Sequence, residues 1–220
     1  LNTGGIELER QEIRNALFHG PFNDLLLRLS RHDVIRTAWS LPLYHPEELT
    51  TAGRELLGSN FFSKMEDAEL VLRFFALRNV THYARGMQGF LDIYMGRASR
   101  FSNETIEQLE DHFNEVITLA AELYGELVFR PFDRYANNWS NRPQKAFYDA
   151  VMVGLSRHIL EAERLRTRKE LLLAETRALF FEHEDGTFTG RGNTKADIEN
   201  RINLFSSMLQ RVSETPDVFS

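Results

Sequence analysis

The sequence predicts an all-α protein built as an irregular multi-helix bundle. Three observations predict it. Period-2 alternation of apolar and polar residues is almost absent. Nearly every long segment instead spaces its apolar residues by three and four, the period of a helix face. Gly20-Pro21, Pro46, Pro131 and Pro143 punctuate those segments where a helix should stop or start.

The first helix is expected from near Glu7 to His19, ended by Gly20-Pro21. Short helices follow at 22–31 and 32–39. Pro42 and Pro46 bracket a loop, and Pro46 then opens a helix through Leu57, because a first turn does not need its missing N–H. Met65–Ala84 carries Leu70, Val71, Leu72, Phe74, Phe75, Leu77 and Val80. A helix apolar on so many sides belongs in the middle of a fold. Gly86, Gly89 and Gly96 punctuate a shorter helix around Phe90–Met95. Ser102 or Asn103 caps the next one, whose stripe Ile106, Leu109, Phe113, Ile117, Ala120, Tyr124 and Leu127 runs until Pro131. Phe132–Arg142 reads as a loop. Pro143–Leu160 and Ala162–Phe181 read as helices of one bent rod, followed by an irregular connection through Asp185-Gly186 and Gly190-Arg191-Gly192-Asn193. The last helix starts at Thr194, with Asp197 placed for a capping box and a stripe of Ile198, Ile202, Phe205, Leu209 and Val212.

At 220 residues, with seventeen Phe and two Trp, the chain can bury a substantial core. Its length suits one helical domain over 21–220 or two subdomains meeting near 97–102, behind a turn and helix at 1–20. Cysteine is absent, which removes disulfides and thiolate metal sites and fits a cytoplasmic location. No apolar run approaches the ~20 residues of a membrane span, and no basic leader is visible. The net charge of -6 argues against a chain whose main surface binds nucleic acid, since phosphate contacts need Lys and Arg.

Candidate site residues fall in three places. Asn2, Thr3, Gly4 and Gly5 precede a helix N-terminus, where backbone N–H groups can hold a phosphate. A tight turn explains them as well, and Glu7 and Glu9 already occupy the positive end of that helix. On the helix itself Glu12, Arg14 and Asn15 form a polar wall. Arg14 can reach a phosphate, pair with Glu12, or make a structural salt bridge to the central helix, and the last reading is preferred. Glu69 and Arg73 stand four apart on the central helix, a supportive spacing for a structural network. The third place is Arg134, Trp139 and Arg142, which combine guanidinium groups with an aromatic able to stack on a DNA base. Arg164, Arg166, Arg168 and Lys169 interleave with glutamates and read as a solvated face. The seven histidines show no metal-ligand spacing, and Gly190–Asn193 lacks the Lys and glycine spacing of a P-loop.

Several blocks resemble one family in their order. The opening Leu1-Asn2-Thr3-Gly4-Gly5-Ile6-Glu7-Leu8 leads into Gln11-Glu12-Ile13-Arg14-Asn15-Ala16. Glu69–Ala76, Phe90-Leu91-Asp92, Gly125-Glu126, Phe129-Arg130, Lys145–Ala150 and Arg201–Leu209 follow. Together they resemble the helical C-terminal part of the GmrSD restriction-endonuclease N-terminal-domain family of bacterial phage-defence proteins. The resemblance implies a preceding ParB/sulfiredoxin-like α/β domain, whose Asp-Gly-Gln-Gln-Arg motif handles a nucleoside triphosphate with Mg. It also implies an HNH-type nuclease domain or subunit acting on foreign DNA. The nearest match to that motif here, Asp185-Gly186-Thr187-Phe188, lacks both Gln and the Arg. On this view the chain is a scaffold with no catalytic residues, cofactor or metal of its own. Residues 2–15 would then face the missing nucleotide domain, and the short segment at the N-terminus would be left over from it. An exposed apolar patch around Ile6, Leu8 and Ile13 would mark the severed contact. The alternative is a stand-alone helical module binding DNA or a protein.

Overall fold

The computed structural model describes residues 8–50 and 53–216. Asn2, Thr3, Gly4, Gly5 and Ile6 lie outside them, as does the expected N-terminal extended segment. Twelve α-helices and one two-stranded hairpin are present among the described residues.

α1 (Arg10–Leu17) begins where Glu12 reaches back to the Glu9 N–H at 2.7 Å. α2 (Pro21–Leu29) starts directly on Pro21, and α3 (Asp33–Ala38) follows with His32 capping Val34 N–H. Pro46 does not open a long helix. It opens a 3-10 turn, Pro46–Leu49, and a separate short helix α4 (Arg54–Leu57) follows Gly53. α5 (Asn60–Ser63), capped by Ser59, was not expected at all.

α6 (Glu66–Leu77) is the central helix, and every residue from Asp67 to Leu77 is buried. It ends seven residues before the expected Ala84, and a 3-10 turn at Val80–His82 carries the chain onward. The glycines do not confine α7, which spans Gly86–Ala98 and contains all three. α8 (Asn103–Tyr124), capped by Ser102, stops at Gly125 rather than at Pro131, because Gly125 turns the backbone to a φ of +55°.

The expected loop 132–142 is partly a hairpin, with β1 (Phe132–Asp133) antiparallel to β2 (Asn138–Trp139). Asp133 Oδ1 accepts from the Tyr135 and Ala136 N–H groups and sets the turn. The bent rod is three helices: α9 (Lys145–Arg157), α10 (Ala162–Thr167) and α11 (Lys169–Glu182), with a 3-10 turn at Ile159–Glu161. α12 (Lys195–Glu214) begins on the Thr194/Asp197 capping box.

One continuous apolar cluster runs from Phe22 to Val212. Its centre is α6 against α9, with α8 and α12 flanking α9. α9 and α12 meet closely because Gly154 has no side chain: a Cβ there would stand 2.6 Å from the Phe205 ring. No described helix is long and apolar enough to cross a membrane.

Candidate functional site

α1 has two unlike faces. Ile13 and Leu17 point to solvent, Leu17 being 70% exposed, and Leu8 just ahead of the helix is exposed too. Gln11 and Arg14 point inward and are buried. The apolar side of this short helix is therefore outside, and its guanidinium is inside.

Arg14 uses all three nitrogens. Nε donates to Asp92 Oδ1 at 2.7 Å. Nη1 donates to Gln11 Oε1 at 3.0 Å and to Glu69 Oε2 at 3.4 Å. Nη2 donates to the Gln88 carbonyl at 3.1 Å and to the Gln88 side chain. Arg14 thus ties α1 to α6 and α7. It makes no pair with Glu12, whose carboxylate is spent on the Glu9 N–H. Asn15 is also engaged, accepting from Asn23 at 2.7 Å. At the start of α1, Lys64 holds Glu9 at 2.6 Å.

Glu69 sits between cations. Arg73 lies 4.0 Å away and Lys145 3.8 Å away, while Lys145 also reaches Glu66 at 2.8 Å. Arg73 continues the network to α9, where its Nε donates to Asp149 Oδ1 at 3.0 Å and its Nη2 to Oδ2. Burial works against the charge on Arg73. The facing Asp149 and Glu69 more than offset it, and the pKa ends above the ordinary guanidinium value. A carboxylate inside the apolar run Ala146–Leu155 was the available signal for this partner, because a buried Asp is rarely unpaired.

The third group sits on the hairpin and the turn that follows it. Arg134 is held by Asp185 at 3.0 Å and stacks over the Tyr135 ring at 5.1 Å. Trp139 is half-buried and packs perpendicular to the Phe132 ring, with centroids 5.5 Å apart. Arg142 is exposed, and its backbone forms the turn with Ser140 Oγ. Tyr135 beside them is exposed, and its hydroxyl donates to Asp185 at 2.6 Å. Between the hairpin and the end of α11 lies a cleft of about 320 Å3, lined by Arg134, Tyr135, Asp185, Gln144 and Thr189 among others.

The basic stretch is a staple. Arg166 binds Glu122 and Glu163, and Lys169 donates to the Glu122 carbonyl, so this face joins α10 and α11 to α8. No group of acids and histidines able to hold a metal occurs among the described residues.

Comparison of the chain with protein-family models, curated proteins and solved structures finds no match.

Proposed function

We propose that this chain is the helical scaffold and coupling part of a GmrSD-type restriction protein serving phage defence in the bacterial cytoplasm. α1 is the wall that faces a preceding ParB/sulfiredoxin-like domain. That domain carries the nucleoside triphosphate and its Mg, with Asn2 to Gly5 at the junction. An HNH-type nuclease domain or subunit receives the signal.

One observation carries this reading, the two-sidedness of α1. Ile13 and Leu17 present apolar surface outward on a helix that Arg14 roots in Glu69, Asp92 and Gln88, and Leu8 just ahead of it adds to that surface. A partner seated on the outer face cannot shift α1 without straining those buried bonds. Displacement of α1 is therefore passed to α6 and α7, since packed interiors transmit strain rather than absorb it.

The test is the reading frame upstream of Leu1. An α/β domain closing on Asp-Gly-Gln-Gln-Arg is the expected result. In the protein so completed, Leu17→Asp should abolish coupling between nucleotide hydrolysis and DNA cleavage. A start codon at or just before Leu1 would overturn the proposal in favour of a stand-alone helical binding module.

A further inference from the structure

The cleft between the hairpin and the end of α11 has an apolar floor and a charged rim. Phe132, Leu179, Phe180 and Phe188 form the floor, with the Phe180 and Phe188 rings 5.2 Å apart. Asp133, Arg134, Glu184, Asp185 and Arg191 carry the charge. Three of these are engaged within the chain. Arg134 pairs with Asp185, and Asp133 accepts from the Tyr135 and Ala136 N–H groups. The side chains of Glu184 and Arg191 make no hydrogen bond or ion pair among the described residues. The cleft thus offers an incoming molecule one carboxylate and one guanidinium above an aromatic floor.

Arg191 is held in place without being consumed. Its stem lies across Gly186, where a Cβ would stand 2.6 Å from Arg191 Cβ and 2.7 Å from its Cγ and Cδ. Gly186 has a φ of +95°, and its carbonyl accepts from the Thr189, Gly190 and Arg191 N–H groups at 3.3, 2.9 and 3.2 Å. The loop that presents the guanidinium is closed on itself, and a glycine is needed for the stem to pass. Across the cleft, Arg134 and the Tyr135 hydroxyl latch the hairpin to Asp185. The two walls are therefore fixed relative to each other before any ligand arrives, which lowers the cost of binding one.

Size and charge narrow the ligand. About 320 Å3 is the room of roughly ten waters, and so of a molecule with roughly ten non-hydrogen atoms. A nucleotide is too large. A carboxylate and a guanidinium together call for one positive and one negative group on the same small molecule. Glu184 and Arg191 also line an adjoining cleft with Thr187, Asp197 and Asn200, whose wall has no apolar side chain. The charged end of the ligand therefore belongs at the junction of the two clefts, and its apolar end on the aromatic floor.

We propose that this cleft binds a free α-amino acid with an apolar side chain. Arg191 takes the α-carboxylate, Glu184 takes the α-ammonium, and the side chain lies on Phe132 and Phe188. The site is independent of the scaffold role proposed above.

The experiment is isothermal titration calorimetry of the chain with L-phenylalanine and L-leucine. At least one of them should bind saturably, one per chain. Glycine, which lacks the apolar end, should bind about tenfold more weakly or not at all. The same loss is expected for the N-acetyl derivative, which removes the positive group, and for the amide, which removes the negative one. Arg191→Gln and Glu184→Gln should each weaken binding about tenfold and leave the melting point without ligand unchanged. Absence of saturable binding by both amino acids would overturn the proposal. So would equal affinity for the N-acetyl and amide derivatives, or wild-type affinity in both variants.

Discussion

Arg73 of α6 grips Asp149 of α9 through two nitrogens in the interior, with Asp149 fully buried. The two most enclosed helices are thereby joined by a fork that fits one register only. A guanidinium and a carboxylate meet this way in plane, so sliding either helix by a turn breaks both bonds. The apolar surfaces around them hold the helices together, and the pair fixes how they are aligned.

Asp149→Ala should be the most damaging single substitution in this network. It leaves Arg73 buried beside Arg201 with no anion between them. Breaking a buried pair from one side costs roughly 3–5 kcal/mol. The double variant Arg73→Met/Asp149→Leu should recover most of the loss, because it buries no unpaired charge. Urea unfolding of the three proteins checks this, and equal midpoints for Asp149→Ala and wild type would refute it.

Arg14→Ala should detach α1. Glu69 keeps Lys145 and Arg73 as neighbours, so the penalty is smaller, roughly 1–3 kcal/mol. The distinguishing readout is local. Amide exchange should rise throughout 10–17 while α9 and α12 stay protected. An unchanged melting point with a protected α1 would show that the buried bonds contribute nothing.

Asp67 predicts a pH effect. Burial raises its pKa to about 6, and its Ala68 backbone bond and the nearby Arg36 offset that only in part. A carboxyl raised in the folded state binds its proton more tightly there than in the unfolded chain. Stability from this group is therefore full below the unfolded value near 4 and is lost as pH rises through about 6. At pH 7 the cost is on the order of 3 kcal/mol. Asp67→Asn should stabilise the protein at pH 7 and leave it little changed at pH 4. Melting curves at the two pH values decide it.

Gly154→Ala should loosen α9 from α12. The new Cβ would stand 2.6 Å from Phe205 Cδ1 and 3.5 Å from Leu209 Cδ1, so the ring must move or the helices must part. Overpacking of this kind costs about 1–3 kcal/mol. Adding Phe205→Leu should relieve it, and a double-mutant cycle measures the coupling.

Much of the helical pattern is legible in local sequence. The α8 stripe, the Thr194/Asp197 cap and the all-round apolar character of Leu70–Leu77 are short-range features, and each appears where its residues place it. The errors share one cause. Pro46, Gly89, Gly96 and Pro131 read as local punctuation in the sequence. The chain instead runs α7 through Gly89 and Gly96 and halts α8 at Gly125. Tertiary packing and single backbone angles outweigh propensities of about 1 kcal/mol. The site residues divide likewise. Glu69 and Arg73 show their pairing in their spacing of four. Nothing near Arg134 in sequence announces Asp185, fifty-one residues later, as its partner.

Helical class, the central place of the Leu70–Leu77 segment and the Glu69/Arg73 spacing follow from periods and caps within a few residues, so they are readable in the chain alone. Which charges meet is set by packing. Arg14 finds Asp92 across seventy-eight residues and Arg73 finds Asp149 across seventy-six. Such pairs are chosen by the geometry of packed helices, where a buried charge takes whichever opposite charge the packing brings within reach.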